Sequence, residues 1–426
     1  MSAEFPLTFH SADASRTRYS LRIIAANALK AAARFWFIVT VAGQLLFAFA
    51  VASFYGLSAL RGDFHRWGKS ITNGHVPGDT MGNLVVELHL LSAVIIILAG
   101  ALQLIPVVRQ RFPRFHRWNG RIYMLAAVTV SGAGLDMLWI RGSVADFPQR
   151  IGFTGNAILI WLCASMALRF AIARDFTRHR TWALRLFLVV AASWFLRVEL
   201  FLSFLIFRGP FGFDPLSFSG PFLTFLSYAQ YLLPLAVLEL YLYAQRGAGS
   251  LRRMATAFVL FVMTVGTAAA TFALTMAVWV PEVKAGFDTR TSITETLSAT
   301  IASGGIDQAI RQYHQLKAAK AAAYNFDQGE LNILGYELLR KKHFSDAIRI
   351  FQLNVEAYPQ ASNVYDSLAE AYADTLNVPL TVANYQKALQ LNPKNRTATA
   401  GLKKLAAYGA AHAGSPGGSQ AEGASQ

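Results

Sequence analysis

The chain has 426 residues, of which 54% are hydrophobic and only 15% charged, and its mean hydropathy is +0.35. A water-soluble core of this size needs no such excess of apolar side chains, so composition points to a membrane class. The formal net charge of +15 would suit nucleic acid, but the basic residues gather in short clusters between apolar runs, which excludes that partner and matches cytoplasmic loops. The single cysteine, Cys163, lies inside an apolar run and excludes both an intramolecular disulfide and a cysteine-built metal site.

Residues 1–34 are a basic N-terminal segment, and the apolar run that follows is too long for a signal-peptide core, so it reads as an uncleaved first span. Crossing the roughly 30 Å hydrocarbon layer takes about 20 helical residues. Seven runs meet that length: Phe35 to Ala59, Leu84 to Val108, Ile122 to Ile140, Ile151 to Ala173, Trp182 to Phe207, Pro221 to Tyr243 and Met254 to Val280. Backbone groups in lipid must be satisfied within the segment, so residues 35–280 are expected to form an all-α polytopic bundle of about seven transmembrane helices. Arginines at 16, 18, 22 and 34, at 109, 111, 114, 117 and 121, and at 174, 178, 180 and 185 flank alternate ends of these runs. The positive-inside rule then puts the N-terminus in the cytoplasm and everything after Val280 outside it, with Arg61, Arg66 and Lys69 the weakest fit.

From Pro281 the apolar residues adopt a helical period, marking a second domain over residues 281–408. Leu334, Gly335, Leu338, Ala347, Phe351 and Pro359 recur 34 residues later as Leu368, Ala369, Tyr372, Thr381, Tyr385 and Pro393. That spacing is similar to tetratricopeptide repeats, with Thr381 departing from a small-residue slot. Ser292 to Lys320 reads as a helical hairpin broken at Gly304 and Gly305, Thr397 to Tyr408 as a capping helix, and residues 409–426 as a disordered tail. The resemblance implies a helical protein-binding scaffold, with Asn332, Tyr336, Asn363 and Asp366 as surface contacts for a protein or peptide.

Ionisable groups inside lipid cost about 2.5–3.5 kcal/mol each on insertion scales and so mark candidate sites. Glu87, His89, Asp136, Arg197 and Glu199 fall at one expected depth and are read as a polar cavity on the outer side. Glu239, on another span, is expected to pair with a nearby arginine such as Arg246. A second constellation repeats at two helix entrances: His116, Arg121 and Tyr123, then His179, Trp182 and Arg185. Two histidines on two helices could ligate a b-type haem, whereas the surrounding arginines and tryptophans equally fit an interfacial belt.

The runs His89 to Gln103, His116-Arg117-Trp118-Asn119-Gly120-Arg121-Ile122-Tyr123, His179-Arg180-Thr181-Trp182-Ala183-Leu184-Arg185, and Arg197 resemble a bacterial membrane family of unknown function, domain of unknown function 2306. The resemblance implies a polytopic fold in a bacterial inner membrane and no established activity. No phosphate-binding glycine loop, metalloprotease helix or nucleophile triad occurs, which points away from an enzyme and from a metal. The expected function is a binding or scaffold role with no cofactor. The alternatives are a haem b electron carrier and a small-molecule transporter or sensor. The oligomeric state is not legible.

Overall fold

The computed structural model describes residues 9–413 except 70, 72–73, 77, 143–144, 215–217 and 248. It divides into two compact units, Met1–Asp288 and Thr289–Gln426, and about 84% of the chain is helical.

The first unit is a bundle of α1 (Phe9–Val51), α2 (Thr80–Leu104), α3 (Pro113–Trp139), α4 (Phe147–Ile172), α5 (Phe176–Val190), α6 (Ala192–Phe207), α7 (Pro221–Gln245), α8 (Ser250–Leu274) and α9 (Val280–Phe287). Among the described residues six helices are long and apolar enough to cross a membrane, or seven if the bent pair α5 and α6 is one span. Large apolar side chains such as Leu125, Phe258 and Phe272 stay exposed on the bundle surface, as they do where lipid is the solvent. This is a membrane protein.

Each element departs from its apolar run for a local reason. Helix α1 already begins at Phe9, well before the apolar run at Phe35. Helix α3 starts at Pro113, not Ile122, because proline's fixed φ suits the first helical turn and the arginines that follow carry their charge outward. The expected span from Trp182 to Phe207 is broken at Ala191 into two helices bent by 56°. Ala191 has ψ 0°, and the Trp194 amide donates to its carbonyl, three residues back, at 2.9 Å. Pro281 does not end the last span, as the composition change suggests. A widened π-turn over Thr275–Trp279 precedes it, and α9 then continues to Phe287. A matching π-turn, Ala52–Gly56, extends α1 to Leu60.

Two of the three basic residues that fit the charge rule least, Arg61 and Arg66, are engaged inside the unit. Arg61 Nη1 donates to the Gly286 carbonyl at 2.8 Å and Arg66 Nη1 to that of Ala285 at 2.7 Å. These carbonyls lie at the C-terminus of α9, where cations are favoured. Arg141 likewise donates to Asp79, the N-cap of α2, at 2.9 Å and to Asn83 at 2.7 Å. Glu239 pairs at 2.7 Å with Arg185 on α5 and not with Arg246.

The second unit holds α10 (Ile293–Ala319), α11 (Gln328–Arg340), α12 (Phe344–Ala357), α13 (Ser362–Asp374), α14 (Val378–Leu391) and α15 (Arg396–Ala413). Two short parallel strands, β1 (Thr291–Ser292) and β2 (Tyr324–Asn325), tie the ends of α10 together. The region expected to be a helical hairpin is two helical stretches broken at Gly305, whose φ of 78° only glycine adopts freely, and Thr300 and Gln312 on either side of the break meet at 2.5 Å. Helix α15 runs past Gly409 to Ala413; the rest of the expected tail lies outside the described residues. Ile293, Leu297, Leu331, Ile350 and Phe351 are fully buried in one core. A Cβ on Gly335 would come within 2.5 Å of the Phe351 ring, so only glycine lets α11 and α12 approach this closely.

Candidate functional site

A cavity of about 530 Å³ opens within the first unit, lined from α1, α2, α3, α4, α5, α6, α7 and the α8–α9 region. Its volume is that of a site for a drug-sized molecule. Both π-turns contribute, with Tyr55 from the first and Val278 and Trp279 from the second. The bend at Ala191 turns Ser193, Trp194 and Arg197 towards it. Pro234 in α7 lacks the amide that would bond the Gln230 carbonyl, and the Gln230 side chain lines the wall.

His89 and Arg197 both face this cavity. His89 Nδ1 sits 3.0 Å from the Val130 carbonyl, which fixes the proton on Nδ1 and leaves Nε2 as an acceptor. Arg197 Nη1 donates to both the carbonyl and the hydroxyl of Ser193 at 2.7 Å, and its guanidinium lies 4.9 Å from the Phe47 ring centre. Tyr55 and Glu282 lie within electrostatic reach of it.

Four further lining side chains carry buried polar atoms without a hydrogen-bond partner: Gln44 Nε2, Tyr123 Oη, Asn156 Oδ1 and Trp194 Nε1. Gln44, Tyr123 and Trp194 are only 3%, 6% and 2% exposed, so these atoms face neither outside water nor the open space of the cavity.

The five residues expected to form one outer network are therefore divided. His89 and Arg197 meet at the cavity, whereas Glu87, Asp136 and Glu199 do not line it. Arg197 makes no ion pair with Glu199, whose Oε2 is buried without a partner elsewhere. Of the repeated helix-entrance motif, Tyr123 joins the cavity, while His116, Arg121, His179, Trp182 and Arg185 stay apart from it. His179 Nδ1 lies 2.9 Å from the Ala167 carbonyl of α4, and His116 Nδ1 is buried without a partner, so both rings turn into the bundle. His116 and His179 lie within electrostatic reach of each other. Arg121 and Arg185 sit over Trp118 and Trp182 at 4.8 and 4.7 Å, so the two motifs repeat in three dimensions.

Residues 86–220 match the family model described as Predicted membrane protein (DUF2306). The matched stretch contains His89, Tyr123, Asn156, Trp194 and Arg197, and excludes Gln44, Gln230, Trp279 and Glu282. No curated protein and no solved structure matches the chain.

In the second unit, Tyr336 donates to Glu370 at 2.6 Å and Ser367 Oγ lies 3.1 Å from the same hydroxyl. Asn332 and Asp366 each bury one unpartnered Oδ1, and Asn363 is exposed. Burial, and then the charge of Glu370, push the Asp366 carboxyl up to about 6. A raised carboxylate pKa means that unfolding releases a proton between about pH 4 and pH 6, so stability falls as pH rises through that window and is level above it. Asp366→Asn is accordingly expected to stabilise this unit by about 1–2 kcal/mol at pH 7.5, and by nothing at pH 4. Amide exchange of α11–α14 in the full chain, variant against wild type at each pH, checks both ends of the curve.

Proposed function

We propose that this protein is a membrane sensor that binds a small, largely apolar molecule in the cavity between its helices. The observation that carries the reading is the void of about 530 Å³ itself, to which two different helices bring the costly groups His89 and Arg197 in a wall that is otherwise largely apolar. A sensor fits better than a transporter because α9, which brings Glu282 to the cavity, ends where the second unit begins. An occupant that competes for Arg197 therefore acts on the connecting helix.

The second unit, in this reading, is a tetratricopeptide-like module that engages another protein. Its support is the 34-residue recurrence, together with the Gly335–Phe351 contact and the burial of Ala369 and Tyr385 at the corresponding positions. In the same proposal this module lies outside the cytoplasm of a bacterial inner membrane, an orientation that the distribution of arginines supports.

The test is occupancy. Full-length protein purified in mild detergent is expected to release a lipid-soluble molecule on organic extraction, in near one-to-one amount by mass spectrometry, and Arg197→Leu is expected to lower that amount about tenfold. Equal recovery from the variant, or an empty wild-type protein, overturns the proposal.

A further inference from the structure

We infer that the occupant is a single-chain amphiphile with one carboxylate, of the fatty-acid class; this deepens the ligand-binding reading above and rests on it. Arg197 supplies the first reason. Its Nη1 donates to the carbonyl and the hydroxyl of Ser193, both neutral, and its guanidinium rests against the neutral Phe47 ring. Among the described residues no ion pair joins it to a carboxylate, and its Nε and Nη2 donors make no hydrogen bond. Unlike the shut-in atoms of Gln44 and Trp194, these donors are not sealed off, and their side chain lines the cavity. A permanent cation at membrane depth is costly until an anion meets it, and a carboxylate matches the two-donor fork of a guanidinium.

Glu282 is the one carboxylate in the wall among the described residues, and it lies within electrostatic reach of Arg197 at longer range than an ion pair. Coulomb energy falls with distance, so a guest carboxylate in hydrogen-bond contact with Nε and Nη2 gains more from the guanidinium than it loses to Glu282. It also offsets the positive charge that Glu282 meets, which carries the occupied state to α9.

His89 supplies the second reason. Its Nε2 is an acceptor, and the ring stands within electrostatic reach of Arg197. A carboxylic acid crosses lipid in its neutral form. At the site its O–H bond breaks, an N–H bond forms at Nε2, and the carboxylate is left beside two cations. A long-chain alcohol or a cationic amphiphile gains nothing from that pair. The remaining wall suits an alkyl chain, with Val51, Leu90, Ile97, Leu135, Ile160 and Leu274 among its apolar residues. A volume of about 530 Å³ holds one drug-sized molecule, and a two-chain phospholipid is larger.

The experiment uses the full chain in phosphatidylcholine nanodiscs and cis-parinaric acid, a fluorescent polyene fatty acid, read by energy transfer from tryptophan. The competitors are palmitate, hexadecanol, hexadecyltrimethylammonium and dioleoylphosphatidylglycerol. Saturable transfer is expected, reversed by palmitate and at least about tenfold less effectively by the other three. Arg197→Gln is expected to weaken parinarate binding at least about tenfold, and Arg197→Lys, which keeps the charge, to recover part of it. The competitor series needs wild-type protein alone, so it decides the question even where a variant fails to elute as a folded species. The carboxylate assignment falls, and the cavity reading stands, if parinarate does not saturate, if any of the other three displaces it as well as palmitate does, or if folded Arg197→Gln binds it as tightly as wild type. Both fall if, in addition, the wild-type protein releases nothing on extraction.

Discussion

Phe351→Ala is expected to unfold the second unit while leaving the membrane bundle intact. Phe351 is fully buried, its ring covers Gly335, and it meets Tyr336 edge-on with centroids 5.2 Å apart. Truncating a buried phenylalanine costs about 3–5 kcal/mol, because the lost transfer energy adds to that of a cavity which helices held by short turns cannot close. A unit of this size commonly has about 5–15 kcal/mol in total, so one substitution removes a large fraction of it. Limited proteolysis of the full chain should show α11 and α12 cut rapidly, with the fragment up to Asp288 resistant. Leu380→Ser, at a 41% exposed position on α14, should leave the pattern unchanged. A protease-resistant Phe351→Ala protein would mean that the contact with Gly335 is not central to the unit's packing.

That contact also shows what was legible from residues alone. Gly335 and Phe351 stand out because a helical repeat needs a small residue facing a large one at a fixed spacing, and spacing is written in the chain. The membrane helices are visible for a similar reason, since continuous apolarity over a bilayer's width has few other uses. Their ends are less visible. Pro281 and Ala191 show the difficulty: the π-turn before Pro281 lets a helix continue where composition changes, and the bend at Ala191 occurs without proline or glycine beside it. Both depend on how the ladder of hydrogen bonds adjusts to neighbours.

The cavity was half legible. His89 and Arg197 signal themselves as costly groups in apolar runs, but shared depth wrongly grouped them with Glu87, Asp136 and Glu199, because depth says nothing of which way a helix face turns. Gln44 and Gln230 carried a signal that charge-based reasoning overlooked, being polar side chains deep inside apolar runs. Glu282 was hidden by its place after Pro281, where it looked like part of the next domain. Asn156 and Trp194 needed the packed structure, since neither residue type is unusual in a membrane helix.

Gly43→Ala should close the cavity from behind. Gly43 lies on α1 at a point where a Cβ would come within 2.6 Å of Trp194 Cζ2, 3.1 Å of Thr271 Cγ2 and 3.2 Å of Trp194 Cε2. An added methyl cannot be accommodated without moving the indole, which lines the cavity and is 2% exposed. A shifted indole redraws the wall that the occupant meets. Overpacking of this kind costs about 1–3 kcal/mol of stability, which a bundle of this size survives, so the effect should appear mainly in binding. We expect extractable occupancy to fall at least about tenfold while the variant still elutes as a folded species. The double variant Gly43→Ala with Trp194→Phe removes the collision by trimming the ring, and it should recover part of the lost binding. Recovery in the double variant separates a steric effect at the cavity wall from general damage to α1, because damage to the helix would persist whatever residue stands at position 194.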